Sequence, residues 1–276
     1  MADPTSFQEQ YKAPPLSEEF LSTLVAELDN DEIVGIILGG SYARGEARPY
    51  SDVDIACFVR DTVRPPQKRF FYRDGLLVSI GAKTVAAIRA DLGKPERVFL
   101  FTAGRRRVLL DKDGSIAQLM HKVDTFSWQP LQAEANSHAS FHLLVTAELA
   151  HKVLNELLRG DELALSYATV RLLSWLTEIV AVQRGILVKS DSTYYRQIEE
   201  SVGLESTWTR FHRIGAGVDV ERTDVSFVVA RGIATLRLYQ ETARLLWPIL
   251  EPLHREVIEK TLQVIEEADF VGMQSC

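Results

Sequence analysis

The residues of this chain whose types and spacing best suit chemistry are Asp52 and Asp54, separated by one position, and the turn Gly39-Gly40-Ser41 that precedes them. On a strand, residues i and i+2 face the same way, about 6.6 Å apart along the chain. Two carboxylates so placed can share one or two hard cations. Mg²⁺ takes oxygen ligands, keeps several waters and fills its remaining positions from substrate phosphates. A pair of such ions stabilises both the attacking and the leaving oxygen of an in-line displacement. The Gly-Ser turn suits the phosphate side of the same reaction. Glycine lets the backbone turn sharply and approach a ligand closely, and a helix N-terminus turns N–H groups toward an anion. Ser41 can add a hydroxyl donor and Arg44 a charged one.

These residues need elements to hold them. Ile33-Val34-Gly35-Ile36-Ile37-Leu38 is a short apolar run ending in glycines and reads as a buried strand. Ser41 to Arg44 follow as one helical turn. Asp52-Val53-Asp54-Ile55-Ala56-Cys57-Phe58-Val59 is the next strand. Two other phosphate motifs are excluded. Gly40 to Gly45 has the spacing of a P-loop, but Glu46-Ala47 stands where Lys and Ser or Thr are required, and no G-x-G-x-x-G follows a strand.

The string Gly40-Ser41-Tyr42-Ala43-Arg44, then Pro49-Tyr50-Ser51-Asp52-Val53-Asp54, resembles the polymerase-β-like nucleotidyltransferases. Within them it is most similar to the kanamycin (aminoglycoside) and lincosamide nucleotidyltransferases. The likeness is densest over residues 33–59. It implies that Asp52 and Asp54 hold Mg²⁺, and that Gly39, Gly40 and Ser41 hold the phosphates of an NTP, ATP by expectation. It implies that Arg44 neutralises the departing pyrophosphate. The acceptor would be a hydroxyl of a small molecule such as an aminoglycoside-like antibiotic. The resemblance also gives Glu148-Leu149-Ala150-His151-Lys152 a role: Glu148 as the base for the acceptor hydroxyl and Lys152 as a phosphate ligand. The residues alone support a second reading, because Glu four positions before Lys is also the order of a surface ion pair that stabilises an isolated helix. Relatives of this kind pair as dimers, so a homodimer is implied.

The chain departs from the resemblance at one position. Such enzymes carry a third acid on a following strand, and here Ser79 in Gly75-Leu76-Leu77-Val78-Ser79-Ile80 aligns with it; Asp74, at the strand start, is a poor geometric substitute. A serine brings no negative charge. One alternative is therefore a degenerate nucleotide-binding or regulatory protein without turnover. Another is an antitoxin-like transferase that modifies a protein partner.

Composition bounds the rest. The chain has 276 residues, 46% apolar and 25% charged, with a net charge of −7. This is a globular composition long enough for two domains, and its acidity argues against a nucleic-acid partner. Two cysteines, Cys57 and Cys276, make no disulfide framework. No uninterrupted apolar stretch reads as a membrane span and the first fifteen residues have no signal-peptide core, so the expected setting is cytoplasmic.

The expected fold is α/β, a mixed-sheet nucleotidyltransferase domain over residues 1–128, plus an all-α helical bundle over 129–276. The first part reads as a helix over 17–28, strands at 33–38, 53–59, 75–80 and 107–111, and helices at 84–92 and 115–123, the last capped by Ser115. The second reads as five helices: 133–159, 162–184, 192–202, 220–246 and 253–268. Of the remaining standouts, Arg105-Arg106-Arg107 reads as a solvated run, with contact to nucleotide phosphates as the alternative. Lys83 reads as a surface residue opening a helix near the Ser79 strand, with an approach to the nucleotide as the alternative. His138, His142 and His151 read as ordinary helix histidines. Trp175, Trp208 and Trp247 read as core, as does Cys57.

Overall fold

The computed structural model describes residues 12–97, 106–220 and 225–268. Among these, the residues up to Ser127 together with Leu187–Asp191 form one compact unit. Those of Trp128–Ile186 and from Ser192 onward form a second.

The first unit is a five-stranded mixed sheet with helices on both faces. Its elements in order are α1 (Glu18–Leu28), β1 (Ile33–Leu38), α2 (Gly40–Arg44), β2 (Val53–Val59), β3 (Arg69–Arg73), β4 (Leu76–Thr84), α3 (Val85–Asp91), β5 (Arg107–Asp111) and α4 (Ser115–Asp124). The sheet order is β3-β4-β2-β1-β5. β2 runs parallel to β4, and the other pairs are antiparallel.

Helix α1 begins where the Ser17 hydroxyl accepts from the Phe20 N–H at 3.0 Å, satisfying a donor that the first turn leaves open. It buries Phe20, Leu21, Leu24 and Leu28, a spacing that sets all four on one helix face. They pack on Ile36, Leu38, Val53, Ile55, Cys57 and Ile80 from one face of the sheet. Burial of each such side chain contributes about 1.5–3 kcal/mol. The other face carries Ile37 and Phe58 against Val85 and Ile88 of α3 and Ile116 and Leu119 of α4. Helix α4 lies so close to β1 that a Cβ on Gly35 would meet Ile116 Cγ1 at 2.2 Å.

Two local expectations are corrected. Ser115 does not cap α4; it is the first helical residue. Asp113 Oδ1 accepts from its N–H at 3.0 Å, and Asp111 accepts from Ile116 and Ala117 at 3.3 and 2.9 Å. A carboxylate accepts these bonds more strongly than a hydroxyl and complements the dipole. Lys83 belongs to β4, and Thr84 caps α3 by accepting from Ala87 N at 3.0 Å. A strand absent from the expected set, β3, pairs with β4 through a two-residue turn. Asp74 has φ 50° and Gly75 φ 78°, the paired positive values of a type I′ hairpin turn.

The second unit is all helix: α5 (Gln132–Arg159), α6 (Glu162–Gln183), α7 (Tyr194–Val202), α8 (Thr207–Ala216), α9 (Phe227–Leu246) and α10 (Pro252–Glu267). α5 ends at Gly160 in the left-handed region, and Asp161 opens α6 by accepting from Ala164 N at 3.1 Å. The stripe Ala135, Ala139, Leu143, Ala147, Ala150 and Leu154 is buried. Its small residues let neighbouring helices approach. Leu172, Leu176, Ile198, Leu236 and Tyr239 fill the centre of this core, and Trp208 is buried there too. The described residues hold six helices in place of the five expected. α9 starts at Phe227, where Ser226 accepts from Val229 N at 3.2 Å, and not near residue 220.

α8 is absent from the expected set; it buries Trp208 and Ile214 together with the polar Thr209 and His212. His212 is fully buried. Its Nδ1 lies 2.8 Å from Glu199 Oε1 and its Nε2 3.1 Å from Thr177 Oγ1, while its ring stacks on Trp208. Burial lowers its pKa, and Glu199 opposes that shift. One described helix, Glu162–Gln183, is long and apolar enough by length and composition to cross a membrane, although Arg171 and Glu178 interrupt its apolar run. Most of it is buried within the unit.

Candidate active site

The site is built at the exit of β1. The Gly39 N–H donates to the Asp54 carbonyl at 2.8 Å, which ties the turn to β2. Gly40 has φ +63°, and a Cβ built on it would lie 2.0 Å from Asp54 Oδ2. That position needs glycine twice over: for its left-handed backbone and for the room the carboxylate takes. Helix α2 then makes its single turn and ends at Gly45 in the left-handed region, with Glu46 N donating to Ser41 O at 2.9 Å. Residues 41 to 44 thus form the helical turn expected of them.

Asp52 immediately precedes β2 and Asp54 is its second residue, both half-buried. Burial holds the Asp54 carboxyl above the usual range, and the neighbouring charge of Asp52 adds to this. Lys68 and Arg44 pull it partly back. The site is therefore poised for a cation: the Asp52 charge raises the cost of ionising Asp54, and a divalent ion would offset that cost. No group of three or more His, Cys, Asp or Glu suited to a metal occurs among the described residues. Two carboxylates with a substrate phosphate nevertheless satisfy Mg²⁺, which takes few protein ligands and retains water. The donor set fits the ion on that chemistry.

Register places Ser79. In the parallel ladder Asp54 pairs with Ser79, and Phe70 of β3 pairs with Ser79 from the other side. Paired residues share a sheet face, so the Ser79 side chain stands beside Asp54, buried at 2% exposure. Asp74 is in the hairpin turn, five residues away along the chain.

A cavity of about 190 Å³ opens over this row. Gly39, Asp54, Ala56, Lys68, Ser79, Gly81 and Arg106 line it. Lys68 and Arg106 are the residues that sequence reasoning missed or placed elsewhere. The Lys68 ammonium sits 4.8 Å from the centre of the Phe70 ring. Arg106 is not a solvated residue: burial lowers its pKa, against a raising effect of Asp124. Arg107 does pair at the surface, with Glu18 at 2.6 Å. Arg105 and Cys276 lie outside the described residues. Cys57, on the opposite sheet face, is core, and burial pushes its thiol up to about 11.

Arg44 Nε lies 2.7 Å from Glu46 Oε2. Its side chain also lines a second cavity of about 350 Å³ with Leu16, Leu21, Leu38, Tyr42 and Ala47. Glu148 and Lys152 belong to the second unit, on α5. They form an exposed ion pair at 2.6 Å, and Lys152 lowers the Glu148 pKa by hydrogen bond and charge. Phe141 and Val145, on the same stripe, are about half exposed. His138 and His142 pack ring to ring at 4.1 Å, and His142 stacks on Trp175.

Residues 19–101 match the model of the family described as nucleotidyltransferase domain. That span holds β1, α2, β2, β3 and β4 with Gly39, Gly40, Asp52, Asp54 and Ser79. The chain thus carries a nucleotidyltransferase domain followed by a helical region. Its fold is similar to the crystal structure of a nucleotidyltransferase-like protein from Exiguobacterium sibiricum 255-15. The TM-score is 0.50 at 13% identity, over 91% of this chain and 80% of that one. At that identity the likeness is one of fold. No curated protein matches the chain.

Proposed function

We propose that the protein transfers a nucleoside monophosphate from an NTP, ATP in the first instance, to a hydroxyl of a small-molecule acceptor, releasing pyrophosphate. The observation that carries this reading is the fit of Gly40 around the Asp54 carboxylate at the end of β1, inside a nucleotidyltransferase domain. Asp52 and Asp54 hold the cation. The Gly39–Gly40 backbone and Ser41 receive the β- and γ-phosphates, and Arg44 offsets charge growing on pyrophosphate. Mg²⁺, when bound, supplies Lewis-acid polarisation of the phosphate oxygens. The acceptor oxygen forms its bond to the α-phosphorus, the bond from that phosphorus to the bridging oxygen of pyrophosphate breaks, and a base takes the hydroxyl proton.

A net charge of −7 supports a cationic acceptor such as an aminoglycoside-like antibiotic, which also gives an antibiotic-resistance role. The resemblance supports a homodimer, and the two-cysteine composition a reducing, cytoplasmic setting. Glu148 as the base and Lys152 as a phosphate ligand enter through the resemblance alone.

The test is pyrophosphate release with Mg²⁺, mixed NTPs and a panel of aminoglycosides and lincosamides, with Asp52→Asn and Asp54→Asn as controls. Release that needs both an acceptor and the two aspartates supports the reading. NTP binding without turnover favours the second reading, a nucleotide-binding regulator, which the buried Ser79 beside Asp54 motivates.

A further inference from the structure

A two-ion site needs enough negative charge to hold both ions. The row across the sheet at this site carries one carboxylate and then a serine, Asp54 paired with Ser79 and Ser79 with Phe70; the second carboxylate, Asp52, comes just before β2. One step along, Ala56 pairs with Gly81. A Cβ added to Gly81 would meet nothing within 4 Å, so these two small residues leave the floor of the cavity open. Lys68 precedes β3, two residues before Phe70, and strand alternation puts it on the same face as Phe70 and Ser79. It lines the cavity with Asp54 and Ser79, its ammonium over the Phe70 ring.

Net charge makes the substitution balanced. Three carboxylates with two divalent ions carry the same charge as two carboxylates with one divalent ion and one ammonium. An ammonium whose charge reaches Asp54 also repels a second divalent ion, and Ser79 offers that ion no charged ligand. Resting on the nucleotidyl-transfer reading above, we propose that this site binds one divalent ion with its nucleotide, and that Lys68 supplies from the protein the positive charge that a second ion supplies elsewhere. Lys68 is then a phosphate-binding residue, and Ser79 is its complement and not a lesion.

The experiment is a Mn²⁺ titration of the full chain by electron paramagnetic resonance, with a non-hydrolysable ATP analogue and melting temperatures as a check on folding. One tight Mn²⁺ per chain is expected in the wild type. Lys68→Ala should weaken analogue binding about tenfold, the loss of one charge-assisted contact, and Lys68→Arg should restore it. Ser79→Asp combined with Lys68→Ala should bind two ions. Two tight ions in the wild type, or unchanged analogue affinity in Lys68→Ala, would overturn the assignment while leaving nucleotidyl transfer intact. No nucleotide-dependent Mn²⁺ binding in the wild type would overturn both. The Lys68 variants keep the proposal falsifiable if the buried Ser79→Asp change prevents folding.

Discussion

Gly40→Ala tests the site at the point where backbone and carboxylate meet. The added Cβ would stand 2.0 Å from Asp54 Oδ2, whereas ordinary contact begins at 3.4 Å. A separation of about 1.4 Å more must open, by rotation of the Asp54 side chain or retreat of the turn. The backbone adds its own cost: φ is +63° at Gly40, and the left-handed conformation costs an L-residue about 1–2 kcal/mol. For a chain of this size 1 kcal/mol lowers the melting temperature by about 2–4 °C, so a fall of a few degrees is expected. The functional loss should be larger. A misplacement of about 1 Å in a catalytic constellation costs on the order of a hundredfold. Calorimetric titration with Mn²⁺ and the ATP analogue, beside pyrophosphate release, separates the two effects: the variant should remain folded and lose cation-dependent binding. Wild-type Mn²⁺ affinity in a folded Gly40→Ala protein would refute the reasoning, because Asp54 would then not need the position that Gly40 leaves to it.

Other outcomes follow from the same geometry. Asp54→Asn removes a half-buried carboxylate that sits beside Asp52; its metal-free melting temperature should rise, and the stabilisation gained with Mg-nucleotide should vanish in the same thermal scan. Asp111→Ala takes two acceptors from the first turn of α4 and should cost about 1 kcal/mol by urea denaturation. His212 has a folded pKa below its unfolded value of about 6.5. The unfolded chain therefore binds the extra proton first, so this contribution to stability is complete above about 6.5 and is lost as pH falls below it. Urea midpoints for His212→Gln should fall less steeply than wild type between roughly pH 6.5 and 5; parallel curves would count against it. Glu148→Gln should cut the rate about 10²–10⁴-fold if Glu148 is the base, and by nothing measurable if the exposed pair with Lys152 is only a surface contact.

The parts legible in sequence were those governed by local pattern. Ile33 to Leu38 and Val53 to Val59 read as buried strands because both faces of each carry apolar residues. The turn at Gly39-Gly40 and the paired acids were visible for the same reason. What escaped depends on long-range pairing or on polar groups taken inside. Lys68 comes near Asp54 only because β3 pairs with β4 and β4 with β2, and no spacing along the chain encodes that. Asp74-Gly75 was the available signal for β3, since Asp-Gly before an apolar run is a hairpin turn. α8 carries Trp208, Phe211 and Ile214 at helical spacing, a signal that was available in the sequence, whereas the residues that satisfy its buried His212 come from α6 and α7.

The hairpin of β3 and β4 has a consequence for how this site can vary. Its two-residue turn fixes which residues oppose each other, and β3 is the outer strand of the sheet. Single replacements along β3 change one side chain and leave the rest in place. A residue gained or lost within the turn would shift every partner by one, sending Phe70 and Lys68 to the far side of the sheet. Length changes belong instead to the segment between β2 and Lys68, which lies outside the ladder. The chemistry carried by this edge can drift residue by residue, while the hairpin's length stays locked.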